Sequence, residues 1–142
     1  MQKRVKNWPP PEIQDRIPTK WLWVVMYKDG FKNGVGTDIG AYTVIQAQAG
    51  VEIGDRAEIG PHCAILSVST ISEDGEPISG KITIGEDAMV GSHCTVMPGV
   101  TIGKGAIVGA HSFVNKDIPD HHIAFGTPTK VRRKVGSKKD LV

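Results

Sequence analysis

The stretch that decides the fold is Ile84-Gly85-Glu86-Asp87-Ala88-Met89-Val90-Gly91-Ser92-His93-Cys94-Thr95, two copies of a six-residue repeat. The repeat runs to residue 119. An aliphatic residue opens each hexad, glycine follows it in four of six hexads, and a small or aliphatic residue stands four places after it. An α-helix has no six-residue period, and the side chains of an isolated strand alternate between its two faces with a period of two residues. The repeat therefore predicts a coil with three flat faces of six residues each.

The same pattern occurs earlier in the chain, so that the repeat covers about residues 35–119. Aligning the hexads in threes defines three faces by their opening residues: face a by Ile53, Ile84 and Ile102; face b by Ile39, Ile59, Val90 and Val108; and face c by Ile45, Ile65, Val96 and Val114. We predict an all-β parallel β-helix of about four coils. Successive coils should lie about 4.7–4.9 Å apart, the spacing of hydrogen-bonded strands.

The regions outside the repeat differ from it in composition. We assign residues 1–34 to an N-terminal arm, residues 66–83 to a loop at a corner of the β-helix, and residues 120–142 to a short basic tail. A chain of 142 residues is one domain, and a net charge of +2 is too small to indicate nucleic acid binding. We expect no membrane span and no signal peptide, and the two cysteines favour the cytoplasm.

The arm is rich in tryptophan and proline. It contains Trp8, Trp21 and Trp23, and the run Pro9-Pro10-Pro11 favours an extended conformation. The apolar segment Trp21–Tyr27 is a short strand or a short helix, and its length does not decide between them. We expect the tryptophans to pack against the side of the β-helix or against a neighbouring subunit.

The fourth position of each hexad carries residue types that tolerate a positive φ. We predict that this position is the left-handed corner of each turn and points outward; its occupants are Tyr42, Arg56, His62, Asp87, His93, Gly99, Gly105, His111 and Asp117. His62, His93 and His111 follow face b on successive coils. They should form a column along one corner with Tyr42 at its head. The histidines are either simple turn residues or the lining of a polar cleft.

Cys63 and Cys94 occupy the small, inward position of successive coils. Their expected Cα spacing permits a disulfide. Two reduced structural thiols are nevertheless favoured in a cytoplasmic protein. Neither is predicted to be a nucleophile, because a buried structural cysteine is usually inert.

Several stretches resemble the hexapeptide-repeat acyltransferases, which have a left-handed parallel β-helix. The sequence is most similar to the sugar acetyltransferases of the maltose and galactoside type and of polysaccharide pathways. One matching stretch is Met97-Pro98-Gly99-Val100-Thr101-Ile102-Gly103. The more specific matches are Val114-Asn115-Lys116-Asp117-Ile118-Pro119 and Gly126-Thr127-Pro128-Thr129-Lys130-Val131. The resemblance covers about residues 35–133.

The resemblance implies a homotrimer with acetyl-CoA in the groove between two subunits. The positions that match the family's cofactor site are Ser92, Ala110, Asn115, Lys116, Lys130, Arg132 and Arg133. The basic residues also suit the phosphates of CoA, to which arginine can bind in a bidentate manner. The alternative interpretation of the tail is a solvated basic end.

The sequence departs from the family at the acceptor site. His62 replaces the family's asparagine, the loop lacks the catalytic histidine of the maltose and galactoside enzymes, and Met89 replaces a tryptophan. We take His62 as the candidate general base, with His93 second, because histidine titrates near neutral pH. The missing loop histidine favours N-acetylation of a nucleotide-linked amino sugar, although O-acetylation of a sugar remains an alternative. Glu73, Asp74 and Glu76 either meet the acceptor or form a solvated acidic loop.

Two other classes of function remain open. One is a non-catalytic hexapeptide-repeat scaffold or binding protein, which the missing loop histidine and Met89 would suit. The other is a metal enzyme similar to the γ-type carbonic anhydrases, since imidazole suits zinc. The closely spaced histidine pair of that family is absent, and His121 and His122 are adjacent, so we predict no metal site.

Overall fold

Short strands make up almost all of the computed structural model, which describes residues 9–137; Trp8 lies outside that range. Face a contains β2 (Phe31–Asn33), β5 (Val51–Ile53), β10 (Ile82–Ile84) and β13 (Thr101–Ile102). Face b contains β3 (Asp38–Ile39), β6 (Glu58–Ile59), β11 (Met89–Val90), β14 (Ile107–Val108), β16 (His122–Phe125) and β17 (Lys130–Lys134). Face c contains β1 (Val24–Met26), β4 (Val44–Gln46), β7 (Ala64–Leu66), β12 (Thr95–Val96) and β15 (Phe113–Val114).

The strands of each face pair in the register that the hexads predict. Ile84 lies between Ile53 and Ile102 on face a, and the same holds for the opening residues of faces b and c. Consecutive coils pair in parallel, whereas β17 pairs with β16 in the antiparallel direction. The predictions of an all-β fold and of a parallel β-helix are confirmed.

The core is a stack of aliphatic side chains inside the coil. The opening residues of the hexads are buried, and Ile53, Ile84 and Ile102 are at most 1% exposed. The small inward position is equally buried and is filled by Ala57, Ala88, Ala106, Cys63 and Cys94. The opening and inward positions together fill the interior of the prism.

The glycine that follows the opening residue allows neighbouring coils to approach each other. A Cβ atom placed on Gly85 would lie 2.6 Å from the backbone nitrogen of Lys104 on the next coil. A Cβ on Gly91 would lie equally close to the nitrogen of Ala110. Real Cβ atoms do not come this close to backbone, so the glycines are required by the spacing of the coils.

The β-helix extends beyond both limits assigned from the sequence. Strands β1 and β2 lie within residues 1–34 and pair in parallel with β4 and β5. Strand β16 lies within residues 120–142 and pairs in parallel with β14. The boundaries at residues 34 and 119 therefore fall inside the β-helix. These outer coils lack the aliphatic–glycine pairs that mark the repeat.

The segment Trp21–Tyr27 contains a strand, β1, in which Val25 is fully buried between two half-buried neighbours. A short 3-10 turn at Lys28–Gly30 then carries the chain from face c to face a. Trp23 is 2% exposed and packs edge-on against Phe31 at 6.1 Å between ring centroids. Trp23 therefore packs against the end of its own β-helix.

A hairpin leaves the corner between faces c and a. It consists of β8 (Val68–Ser69) and β9 (Ile78–Ser79), which pair in the antiparallel direction. At its tip the Asp74 carboxylate accepts hydrogen bonds from the backbone of Glu76 and from Ser72, both at 3.0 Å. These hydrogen bonds lower the pKa of Asp74, so this carboxylate shapes the tip of the hairpin.

Within residues 9–137, no helix is long and apolar enough to cross a membrane.

Gly85→Ala should destabilise the protein by about 1–3 kcal/mol or more, because the new methyl group must push two coils apart. Thr83→Ala, at an outward position of the same strand, should change the free energy of unfolding by less than about 0.5 kcal/mol. Urea unfolding of both variants measures the difference. Equal effects would show that the close approach at Gly85 does not limit the spacing of the coils.

Candidate functional site

The corner between faces b and c has a left-handed backbone conformation on every coil. φ is 64° at Tyr42, 58° at His62 and His93, and 59° at His111. Of the other corner positions predicted from the hexads, Arg56, Asp87, Gly99 and Gly105 also have positive φ, whereas Asp117 does not. The Asp117 carboxylate instead accepts a hydrogen bond from the backbone N–H of Thr101 at 2.8 Å.

The side chains at this corner form the predicted column, here called the ring column (Tyr42, His62, His93 and His111). The rings of His62 and His93 stack with centroids 4.8 Å apart and an interplanar angle of 12°. His93 and His111 stack at 4.8 Å and 10°. Tyr42 lies 5.1 Å from His62 with a tilt of 32°. The ring spacing matches the strand spacing, so the β-helix itself places the rings.

The side chains of the ring column are exposed, whereas its backbone N–H groups are hydrogen-bonded between coils. The N–H of His93 donates to the carbonyl of Pro61 at 3.1 Å, and that of His111 donates to the carbonyl of Ser92 at 2.9 Å. These N–H groups are therefore not available to stabilise an oxyanion. The imidazole nitrogens are the groups that the corner offers for proton transfer.

Two of the predicted cofactor residues lie beside the ring column. Ser92 directly precedes His93, and Ala110 directly precedes His111 on the next coil. Ser92 is half-buried and Ala110 is exposed, so together they form a narrow ledge next to the imidazole rings. The structure therefore brings His62, His93, Ser92 and Ala110 to one corner.

The other predicted cofactor residues lie on the last coils. Asn115 and Lys116 follow β15, at the corner between faces c and a, and both are exposed. Lys130, Arg132 and Arg133 belong to β17, at the outer end of face b. The predicted cofactor residues therefore lie in three places: Ser92 and Ala110 at the corner between faces b and c, Asn115 and Lys116 at the corner between faces c and a, and the three basic residues of β17 on face b.

Arg132 has a structural role within the last hairpin. Its guanidinium lies 4.3 Å from the centroid of the Phe125 ring and donates to the Phe125 carbonyl at 3.2 Å. Both contacts attach β17 to β16. Lys130 and Lys134 are exposed on the same strand.

The corner between faces a and b carries a ladder of charges. The Arg56 guanidinium donates to the Asp87 carboxylate at 3.0 Å and contacts the Glu86 carboxylate at 3.4 Å. Glu86 also forms an ion pair with Lys104, which lies one coil further along. Asp87 raises the pKa of Arg56, and Glu86 raises that of Lys104. Because these charges pair with one another, this corner is a solvated structural edge. The corner positions of Arg56 and Asp87 were visible in the hexads, but their pairing was not.

Both cysteines are buried free thiols. Cys63 donates to the carbonyl of Gly91 at 3.1 Å, and Cys94 donates to the carbonyl of Gly109 at 3.2 Å. The neighbouring Cys94 thiol and burial hold the pKa of Cys63 above its ordinary value. A protonated, buried thiol such as that of Cys63 is a poor nucleophile.

No group of three His, Cys, Asp or Glu side chains within residues 9–137 is arranged to hold a metal ion. The geometry of the ring column agrees with this finding. Stacked parallel rings direct their nitrogen lone pairs side by side, whereas ligands of one metal ion must converge on a single point about 2.0–2.1 Å away.

The outer surface of face c is largely apolar. Its outward positions are half-buried in the single chain and include Val44, Ala64, Leu66, Met97 and Phe113. The corresponding surface of face a is polar and includes Lys32, Glu52, Thr83 and Thr101. Glu52 pairs there with Lys81 at 2.8 Å, and this contact lowers the pKa of Glu52. The three faces therefore differ in the surface they offer to a partner.

Residues 81–116 match the family described as bacterial transferase hexapeptide (six repeats). The repeat of this chain is therefore similar to the hexapeptide repeat of the bacterial transferases. The resemblance inferred from the hexads is thereby confirmed.

Relatives and solved structures point to the same group. The galactoside O-acetyltransferase of Escherichia coli is 40% identical over 94 residues, which cover 62% of this chain and 46% of that protein. A galactoside acetyltransferase in complex with coenzyme A superposes with a TM-score of 0.75 at 32% identity, covering 80% of this chain and 60% of the other. A Vibrio cholerae hexapeptide-repeat acetyltransferase complexed with acetyl coenzyme A gives the same TM-score at 28% identity, covering 81% and 66%. The chain spans about half the length of the Escherichia coli relative.

Replacing the central ring should disturb the rings on both sides of it. In His93→Asn the asparagine tolerates the left-handed backbone, so the corner should keep its shape while the ring-current shifts of His62 and His111 change. Two-dimensional NMR of the imidazole C–H groups measures these shifts. His121→Asn is the matched control, since His121 has φ 55° but lies at the corner between faces a and b. Unchanged His62 and His111 resonances in His93→Asn would contradict the stacking.

Proposed function

We propose that this chain is the β-helix of an acetyl-CoA-dependent acetyltransferase that acts on a sugar. The observation that carries the proposal is the exposed ring column with Ser92 and Ala110 beside it, which combines a proton acceptor with a ledge on one edge of the prism. The relatives named as acetyltransferases, and the superposed structures that hold CoA or acetyl-CoA, support the same activity.

His62 is the proposed general base, with His93 as the second candidate. The acceptor's amine or hydroxyl gives its proton to the imidazole while its nitrogen or oxygen forms a bond to the acetyl carbon and the C–S bond of the thioester breaks. The proton then passes to the departing thiolate, which leaves as the thiol of CoA. His62 lies between the Tyr42 and His93 rings, so that its orientation is held without further hydrogen bonds.

Lys130 and Arg133 are the proposed cationic partners of the CoA phosphates, and Asn115 and Lys116 are proposed cofactor contacts at the separate corner between faces c and a. Lys130 and Arg133 both belong to β17, at the end of the prism toward which the ring column leads. Arg132 acts indirectly by attaching β17 to β16 through Phe125.

The proposed acceptor is a nucleotide-linked amino sugar, which would place the reaction in surface-polysaccharide biosynthesis in the cytoplasm. The loop at residues 66–83 contains no histidine, and a free amine requires less assistance from a base than a hydroxyl does. Glu73 and Glu76 lie exposed near the hairpin tip, where they can meet an ammonium group.

O-acetylation of a sugar is the second candidate. It is favoured by the name of the Escherichia coli relative, a galactoside O-acetyltransferase. Turnover of a nucleotide-linked amino sugar and of a simple galactoside by the same preparation distinguishes the two.

The proposed assembly is a homotrimer in which the apolar surface of face c is covered by neighbouring copies. Five of the side chains at outward positions of this face are apolar, and covering apolar surface favours association. The ring column lies at the edge of this face. A neighbouring subunit would therefore make one wall of the groove in which acetyl-CoA is bound.

His62→Asn should lower kcat for acetyl transfer by about 10²–10⁴-fold, since it removes the general base. His93→Asn should have a smaller effect, and His121→Asn should have none. Steady-state kinetics with acetyl-CoA and binding of CoA by calorimetry give the comparison. Wild-type protein that binds no CoA at millimolar concentration would refute the activity, and full turnover by His62→Asn would exclude His62 as the base.

Phe113→Glu should separate the trimer into monomers, because it buries a charge in the proposed contact. Thr101→Glu adds the same charge to the outward surface of face a and should leave the assembly unchanged. Sedimentation velocity measures the mass of each variant. A monomeric wild type, or a trimeric Phe113→Glu, would count against face c as the contact.

A further inference from the structure

The residue that follows each ring of the ring column is buried and carries a hydroxyl or thiol group. These residues are Thr43, Cys63, Cys94 and Ser112, and each is at most 2% exposed. Behind the corner between faces a and b, the equivalent position is filled by Ala57, Ala88 and Ala106. The interior behind the ring column is therefore polar, whereas the interior behind the charged corner is apolar.

The Cys63 thiol is hydrogen-bonded to the turn of the next coil. It donates to the carbonyl oxygen of Gly91 at 3.1 Å. Behind the corner between faces a and b, an alanine has no side-chain donor, and the corresponding carbonyl of Gly85 accepts from the backbone N–H of Ala88 at 3.2 Å. Cys63 thus supplies the Gly91 peptide with a donor that packing alone does not require.

The Gly91–Ser92 peptide presents its N–H group on the outer side of the corner. This peptide bond is trans. A trans peptide is planar and directs its N–H away from its C=O, so the Ser92 N–H points outward while the carbonyl accepts the thiol inside the prism. Within residues 9–137, this N–H makes no hydrogen bond. The ledge therefore has an available donor beside the His93 ring.

The same N–H position binds an anionic oxygen at another corner. Lys104 holds the place of Ser92 in its own hexad, and its N–H donates to the Asp120 carboxylate at 2.9 Å. Asp120 lies on the next coil, at the equivalent hexad position. On the coil after Ser92 this position is occupied by Ala110, which has no side-chain oxygen. The Ser92 N–H therefore has the orientation that binds an anionic oxygen, and the neighbouring coil supplies none.

We infer that Cys63 is a positioning residue for acetyl transfer: its thiol fixes and polarises the Gly91–Ser92 peptide, and the Ser92 N–H donates to the carbonyl oxygen of the acetyl thioester. The inference rests on the acetyl-CoA-dependent activity proposed above. Negative charge develops on that oxygen as the acceptor attacks, and a donor held in place before the reaction stabilises this charge. Hydrogen bonds in series polarise one another, so a bond to the carbonyl strengthens donation by the N–H of the same peptide.

The position of Ser92 along the prism suits this role. Ser92 lies on the coil next to that of His62, about 4.8 Å further along the corner. The proposed base and the N–H donor therefore face the same short stretch of the groove, where the acceptor and the thioester must meet.

The next coil provides a matched comparison. Cys94 holds the position of Cys63 one coil further on, and its thiol donates to the Gly109 carbonyl at 3.2 Å. The Ser112 hydroxyl donates to the same carbonyl at 2.7 Å. Removal of the Cys94 thiol therefore leaves the Gly109 carbonyl with a side-chain donor, whereas removal of the Cys63 thiol leaves the Gly91 carbonyl without one.

The test compares Cys63→Ala, Cys94→Ala and Cys63→Thr in acetyl transfer from acetyl-CoA. Cys63→Ala should lower kcat by about three- to tenfold with little change in KM for acetyl-CoA, since the lost polarisation acts mainly on charge that develops in the transition state. Cys94→Ala should lower kcat by about twofold or less. Cys63→Thr should restore most of kcat, because the Thr43 hydroxyl makes the equivalent bond to the Gly60 carbonyl at 2.9 Å.

Nuclear magnetic resonance of the protein without substrate reports on the peptide itself, independently of turnover. Labelling glycine with ¹³C at the carbonyl and serine with ¹⁵N selects two peptide units, Gly91–Ser92 and Gly136–Ser137, and the second is an internal reference. In Cys63→Ala the Gly91 carbonyl carbon and the Ser92 amide proton should shift upfield, because both lose polarisation. In Cys63→Thr they should return toward their wild-type positions.

Equal loss of kcat in Cys63→Ala and Cys94→Ala would overturn the inference, since both thiols would then act only by packing. Full turnover by Cys63→Ala, or an unshifted Ser92 resonance in that variant, would overturn it as well. Wild-type protein that binds no CoA in calorimetry refutes the proposed activity and the inference with it. Wild-type protein that transfers acetyl groups, with a Cys63→Ala variant indistinguishable from it, refutes the inference alone.

Discussion

The parallel hydrogen-bond ladder between coils is the constraint on which the rest of the structure depends. It holds successive coils at strand spacing, and the glycine after each opening residue makes that spacing possible, as the 2.6 Å approach at Gly85 shows. Every residue at one hexad position is thereby placed directly above its counterpart. Stacked isoleucines, stacked cysteines and stacked imidazoles are consequences of the same spacing.

A repeat of this kind produces different surfaces from one backbone geometry. The corner that carries the ring column and the corner with Arg56 and Asp87 have nearly the same left-handed φ, 58° at His62 and 59° at Arg56. One presents exposed imidazole rings, and the other a set of paired charges. The chemistry of each edge is therefore set by the side chains that occupy the corner position, while their alignment is set by the backbone.

The features that could be predicted from the sequence are those that depend on the strict six-residue period. The three faces, their register and the ring column with Tyr42 at its head follow from counting hexads, and the structure confirms them. The outer coils were not predicted because they lack the aliphatic–glycine pairs that mark the repeat. The inward position of Asn33 follows only from the pairing of β2 with β5, which no local pattern indicates. Whether Trp21–Tyr27 forms a strand likewise depended on contacts with a distant segment, β4.

The reversed direction of β17 has a consequence for the solubility of the protein. A parallel β-helix has at each end a row of unpaired backbone groups at the spacing of any other coil, so that two molecules can stack end to end without limit. At the C-terminal end, β17 pairs antiparallel with β16 and covers the outer edge of face b with a strand that contains Lys130, Arg132, Arg133 and Lys134. Charged side chains on an edge strand oppose addition of a further strand. The last hairpin therefore opposes the addition of a further strand at the outer edge of face b.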